Sequence, residues 1–390
     1  MRCLIVNAVA LNAGDAAILY GVLRMLRSVF GDGLAVTVAD DDPVAARRLY
    51  PEIEFTAGFN SRRPAVGPAW WSRLSRSVLR RRTALAVRLL ARAPWLAKLL
   101  LDAAGRAHLD RMRAADVVLA TGGTYFVEHY PIRTRAHELI AAHALGRPVY
   151  LLTQSLGPFN RRRNRRLMAR ALRGVERVFV RDERSRANLR GLSVPEDRVV
   201  VCPDAAFALA EDAPRRQAHT GPLRIAVSVR DWKHFRTRPA AEGRDAYRAA
   251  VAAVVRRLAS QGAEVSFVST CQGVAEYWTD DARFARSLVD ELLPDAPGIK
   301  VDGRFRSPSE LVEHLRRYDL VIATRMHAAI LALVAGVPVV PIAYEFKMTE
   351  LFASLGLPWL VEDIETITAA RLDEKVTDAL ARLDGLRAVI

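Results

Sequence analysis

Short runs rich in Val, Ile and Leu alternate with longer stretches of helical period along nearly the whole chain. That alternation restricts the fold to βαβ units on parallel sheets. In the first half, strands are expected at 4–8, 35–39, 117–120, 149–153, 178–181 and 199–202, with helices such as 15–29, 134–145 and 164–173 between them. The stretch 211–222 holds Pro214, His219, Gly221 and Pro222 and no hydrophobic period, so the linker is placed there. The pattern then restarts, with strands at 224–229, 265–269, 300–302, 320–323 and 337–342. The expected fold is α/β: two Rossmann-like domains, 1–212 and 222–366, whose parallel sheets face each other across a cleft. A C-terminal helix in 367–390 is free to cross back to the first domain. A chain of 390 residues has room for two such domains, at about 100–200 residues each. Ligands of open parallel sheets bind beyond the carboxyl ends of the strands, so the candidate residues are sought there.

Charge narrows the partners. Lys and Arg number 58 against 43 Asp and Glu, a net of +15, and the surplus sits in two places: 62–113 carries +11 and 161–190 carries +9. A field confined in this way suits phosphates, acidic polymers or the anionic face of a membrane; an Arg-rich composition without function is the alternative. Cys3, Cys202 and Cys271 lie far apart with no Cys-x-x-Cys spacing, which suggests neither a disulfide framework nor a zinc site and fits a reducing, cytoplasmic compartment. The first fifteen residues read as a buried strand, because Asn7, Asn12 and Asp15 interrupt any signal-like apolar run. The longest charge-free stretch, 326–344, is broken by Pro338 and Pro341, so the protein is expected to be soluble or peripheral.

The insertion at 61–113 breaks the α/β rhythm. It brings Pro64, Pro68, Trp70 and Trp71, then a run in which Arg and Leu interleave at helical spacing. Basic helices with Trp and Leu on one side suit an anionic membrane interface, and helices packed on the domain as a lid would read the same way.

Several strand ends carry polar motifs. Asn12-Ala13-Gly14-Asp15 opens the first helix, where free amides favour an anion, although no Gly-x-Gly-x-x-Gly is present and Asp15 repels phosphate. Gly122 and Gly123, followed by Tyr125, Glu128, His129 and Tyr130, suit a sugar-binding mouth, with His129 a competing base. Gln154 ends the next strand and Arg181 the one after, where Arg181 either reaches an anion or pairs with an Asp. The sharpest constellation lies in the second half. Arg230 ends one strand, and Arg325 and His327 stand two residues apart at the end of another, immediately before a helix. Fixed positive charge thus adjoins a titratable proton donor. Tyr344 and Lys347 follow the next strand and close the same pocket. No nucleophile elbow, P-loop or clustered metal-ligand set occurs.

In their order, Asn12-x-Gly14-Asp15-x-x-Ile18, Gly122-Gly123, Gln154-Ser155-x-Gly157-Pro158, Arg181-Asp182-x-x-Ser185, Asp204-x-x-Phe207, Ser228-x-Arg230, Arg325-Met326-His327-Ala328 and the run from Gly336-Val337-Pro338 to Tyr344-x-x-Lys347 resemble the polysaccharide pyruvyl transferase family, over about residues 5–355. Two departures are a Thr-Gly-Gly-Thr loop where a third glycine is common, and Ala205 after Asp204 where proline is common. The resemblance implies a fold like B-type glycosyltransferases, phosphoenolpyruvate as donor substrate with no further cofactor, and a saccharide acceptor, lipid-linked or not, that receives a pyruvate ketal. It also implies donor binding and catalysis at Arg325, His327 and Arg230, and implies no nucleic-acid partner. Competing readings are a B-type glycosyltransferase using a nucleotide sugar and a non-catalytic, membrane-surface scaffold of polysaccharide assembly.

Overall fold

The computed structural model describes the chain except residues 60, 63–68, 129, 193, 213–220, 272 and 278; of 32, 69–73, 211 and 212 it describes the backbone alone. His129, Pro64, Pro68 and most of the 211–222 linker therefore lie outside the described residues, as do the side chains of Trp70 and Trp71.

Among the described residues fourteen strands form two sheets, and every pairing is parallel. The first sheet contains β1 (Arg2–Ala8), β2 (Ala35–Asp40), β3 (Phe55–Ala57), β4 (Val117–Ala120), β5 (Gly123–Phe126), β6 (Val149–Leu156), β7 (Arg177–Val180) and β8 (Val199–Val201). Its order is β3-β2-β1-β4-β6-β7-β8, with β5 paired to β6. The second holds β9 (Arg224–Ser228), β10 (Glu264–Val268), β11 (Ile299–Asp302), β12 (Leu320–Ala323), β13 (Val339–Ala343) and β14 (Glu362–Asp363), in the order β11-β10-β9-β12-β13-β14. Central strands read as apolar runs because helices cover both faces; β12 is buried along its whole length. Three strands escape the sequence pattern: β3 and β14 are too short to show a period, and β5 lies inside the glycine motif.

The chain divides into two compact units, but not at the linker alone. Met1–Leu11 and Ile18–Ala205 form the first, whereas Asn12–Ala17 joins Ala206–Ile390 in the second. Ala13 and Ala17 belong to the second unit's apolar core, and the Ala13 amide donates to the Thr270 carbonyl (3.2 Å). The C-terminal segment is two helices, Ala369–Ala381 and Leu383–Val389, and it stays with the second unit. Leu372, Val376 and Ala379 are buried in that unit's core, and Arg257 pairs with Asp373 (2.5 Å).

The basic insertion forms the helices Ala69–Leu89, Pro94–Leu100 and Ala103–Ala114. One side of it is core: Ala86, Val87, Leu90, Ala97, Leu101, Leu109 and Met112 pack into the first unit. Buried His108 meets Glu138 (2.7 Å), whose other oxygen accepts from the Phe59 amide (3.0 Å), so the third helix is tied in by polar contacts as well.

Candidate functional site

Four adjacent strands of the second sheet, β10, β9, β12 and β13, end side by side, and each delivers part of one polar cluster. After β9 comes Arg230. Its guanidinium carbon lies 4.5 Å from the centre of the Tyr344 ring, which follows β13, and 5.2 Å from that of Trp232. The two rings are 4.5 Å apart at 39°. Such contacts, about 0.5–2 kcal/mol each, fix a guanidinium in place without neutralising it. Among the described residues no carboxylate pairs with Arg230. Tyr247, fully buried on the helix Ala240–Ser260, accepts from the Arg230 amide (3.3 Å) and shares a hydrogen bond with Thr324 (2.8 Å), which pins the ends of β9 and β12 to one point. The loop beyond Trp232 is anchored by buried Glu365, which accepts from the amides of Arg236 and Thr237. Burial opposes the charge of that carboxylate, but those amides and the Thr237 hydroxyl hold it below the usual range.

Arg325, after β12, is committed differently. Its Nε and Nη2 donate to the two oxygens of buried Asp281 at 2.8 and 2.5 Å, a bidentate pair that neutralises the charge locally. Arg325 is also the cap residue of the helix Met326–Val334, whose first turn has no side-chain cap. The uncapped turn therefore presents its amides at the end of β12, a position that favours an anion.

His327 stands half-buried in that first turn, and Gly14 lies against its ring. A methyl group at Gly14 would sit 2.5 Å from Nδ1 and 2.6 Å from Cγ, so only glycine lets the imidazole occupy this place. Asn12 secures the same turn: its amide nitrogen reaches the Tyr277 hydroxyl (3.4 Å), its oxygen accepts from the Gly14 amide (3.0 Å), and the Cys271 thiol approaches that oxygen (3.8 Å). Burial first, then the charge of Asp15, raise the Tyr277 hydroxyl, and burial pushes the Cys271 thiol up to about 12, so both remain protonated. Asn12 and Asp15, which fall within the expected first domain 1–212, thus belong to the second unit with the His327 cluster. The motif spacing could not show this, because more than 250 residues separate Asn12 from its partners. Lys347 lies beyond β13 and pairs with Glu345 (3.0 Å), which lessens its value as an anion ligand. Tyr277, Asp281 and Trp232 carried no motif signal and were missed.

At the first sheet the expected residues meet a different fate. Arg181 is buried in an ion pair with Asp204, and its Nη2 donates to the Gly123 carbonyl (3.3 Å), Thr124 Oγ1 (3.1 Å) and Ser155 Oγ (3.0 Å). It holds strand ends together instead of reaching for an anion. Gln154 is fully buried, and its side-chain amide donates to the Thr121 carbonyl. The openings left by Gly122 and Gly123 are filled from within: a methyl at Gly122 would lie 2.3 Å from Thr153 Oγ1, and one at Gly123, where φ is +139°, 2.5 Å from the Tyr125 ring. These glycines admit side chains of the protein, not the close approach of a ligand expected of them. Among the described residues no group of three or more His, Cys, Asp or Glu is placed to hold a metal ion.

Two parallel, helix-covered sheets define a class by fold: that of B-type glycosyltransferases and UDP-GlcNAc 2-epimerases. It is shared with the UDP-GlcNAc 2-epimerase of Neisseria meningitidis bound to UDP-GlcNAc (TM-score 0.59, 14% identity, covering 100% of this chain and 94% of that one). The Anabaena HepE in complex with UDP-glucose shares it too (TM-score 0.54, 14% identity, 100% and 92% covered). Within that fold the chain belongs to the polysaccharide pyruvyl transferase family, which it matches over residues 12–345. It is 28% identical over 280 residues to the amylovoran biosynthesis protein AmsJ of Erwinia amylovora, covering 70% of this chain and 67% of that protein. It is accordingly a transferase of polysaccharide biosynthesis.

Proposed function

We propose that the protein moves the pyruvyl group of phosphoenolpyruvate onto a saccharide as a ketal and releases phosphate. The observation that carries this reading is the strand-end cluster. Arg230 is held against two touching aromatic rings with no carboxylate partner among the described residues, in the same strand-end cluster as the helix turn that bears His327, whose N-cap side chain makes no capping bond. Phosphoenolpyruvate is a compact anion with a phosphate and a carboxylate, which a guanidinium and the amino end of a helix match.

In the proposed reaction His327, protonated, gives its proton to the methylene carbon, which becomes the methyl group. A sugar hydroxyl adds to the resulting oxocarbenium-like carbon and returns a proton to the imidazole. The C–O bond to phosphate then breaks, and a second sugar hydroxyl adds at the same carbon, its proton leaving with the phosphate. General acid catalysis of this kind is worth about 10²–10⁴-fold. Arg230 and the helix amides stabilise charge on the donor, while Arg325, paired with Asp281, fixes the turn that carries His327. Tyr344 orients Arg230, and Gly14, flanked by Ala13 and Asp15 and held by Asn12, borders the imidazole.

Phosphoenolpyruvate should raise the melting temperature of the purified protein more than UDP-glucose or UDP-GlcNAc does, and phosphate release should require a saccharide acceptor. A larger shift with a nucleotide sugar, together with nucleoside diphosphate release, would replace this reading with glycosyl transfer.

A further inference from the structure

The helix Ala69–Leu89 uses one side to pack, with Thr83, Ala86 and Val87 buried. Its other side is not wholly polar. Leu74, Val78 and Leu85 are 51%, 47% and 46% exposed. At 3.6 residues per turn these three lie within about 40° of one another and roughly opposite Thr83 and Val87. A surface helix ordinarily turns charged or polar residues outward. Here Arg81 and Arg88 are exposed on the same outward stripe, with exposed Arg82 beside it.

The next helix, Pro94–Leu100, continues the surface. Trp95 and Leu99, one turn apart, are 68% and 65% exposed, the largest apolar exposures in this insertion. The Arg82 guanidinium donates to the carbonyls of Leu99 (3.4 Å) and Leu100 (3.0 Å), which sets Leu99 beside the arginine-bearing side of the first helix. The result is a row of apolar side chains, one of them Trp, interspersed with the guanidinium groups of Arg81, Arg82 and Arg88, which pair with no carboxylate among the described residues, in a segment of net charge +11.

We propose that this face lies on an anionic phospholipid surface, with Leu74, Val78, Leu85, Trp95 and Leu99 entering the headgroup–acyl boundary and Arg81, Arg82 and Arg88 meeting lipid phosphates. Charge selects the occupant. A second copy of the same face would set arginines against arginines, while an anionic bilayer offers both an apolar layer and opposite charge. No helix of the described residues is long and apolar enough to cross a membrane, so the contact is interfacial. The proposal stands apart from the donor chemistry, and its readout does not involve activity.

The test is co-sedimentation of the full chain with vesicles of phosphatidylcholine, with and without phosphatidylglycerol. The protein should pellet with the anionic vesicles and be released as salt rises, weakening at least about tenfold once the Debye length falls well below its physiological ~8 Å. Two variants separate the contributions. Val78→Ser with Leu85→Ser keeps every charge and should lower vesicle affinity about tenfold or more; Trp95→Ala with Leu99→Ser, on the other helix, should do the same if the first pair fails to fold. Unchanged vesicle affinity in a folded variant, equal binding to neutral vesicles, or no binding at low salt would each overturn the proposal. So would a dimer in sedimentation velocity that the serine variants dissociate, since the face would then serve self-association.

Discussion

The carboxyl ends of the two sheets are built from similar residue types and do opposite things. At the first, arginine, glutamine, serine and paired glycines are consumed internally: Arg181 meets Asp204, Gly123, Thr124 and Ser155, and the glycine openings are occupied by Thr153 and Tyr125. At the second, Arg230 is steadied by aromatic faces, which leave its charge intact, and His327 rides on a helix turn whose amides have no side-chain cap. An arginine at a strand end is therefore not a ligand by virtue of its position. What surrounds it decides: a carboxylate turns it into a fastener, and a ring leaves it a cation.

The comparison is sharpest at His327. His327→Asn should lower turnover about 10²–10⁴-fold while leaving the melting temperature and the phosphoenolpyruvate-induced shift nearly unchanged. Near-normal turnover would remove the imidazole from the mechanism. Next comes the pair of arginines. Arg181→Ala removes the cation from the buried ion pair with Asp204 and should cost about 3–5 kcal/mol in urea unfolding. Arg230→Ala, half-buried and without a carboxylate partner among the described residues, should cost under about 1 kcal/mol in the same assay yet raise the donor KM at least about tenfold. If both variants lost stability alike, the distinction between fastener and cation would collapse.

A smaller effect is expected at Gly14. The methyl of Gly14→Ala would press on the His327 ring, and overpacking of that kind costs about 1–3 kcal/mol. Turnover should fall with the displaced imidazole, whereas Gly33→Ala, which meets nothing within 4 Å, should change neither.

The last comparison concerns pH. Burial pushes the Asp40 carboxyl up to about 7, against backbone hydrogen bonds from Ala10 and Asp42. An acid whose folded value lies above its unfolded value of about 3.9 contributes most below that value, and its contribution is lost as pH rises through 7. Melting temperatures between pH 4 and 7 should decline more steeply in the parent protein than in Asp40→Asn. Parallel profiles would show that Asp40 titrates normally despite its burial.

Much of this organisation was legible in the sequence because it is local. The runs that became β4 and β12 coincide with the expected strands, 117–120 and 320–323, since a fully buried parallel strand must be continuously apolar whatever its neighbours are. The Arg325–His327 motif was visible because a strand end and a helix start are adjacent along the chain. Other features depend on contacts far apart in sequence and were not visible. Asp281 reaches Arg325 across 44 positions, and Trp232 matters only because Tyr344 returns beside it.

By itself, then, the sequence determined two parallel α/β sheets, a basic helical insertion, and the identity of the residues at each strand end, because hydrophobic period, charge and turn chemistry are written residue by residue. The tertiary structure alone decided which of those residues keep their chemistry. It moved Asn12–Ala17 to the second unit, where Gly14 meets His327, neutralised Arg181 with Asp204, and turned an apolar stripe of the insertion away from its core. Pairing, burial and exposure are properties of neighbours in space, and no local pattern specifies them.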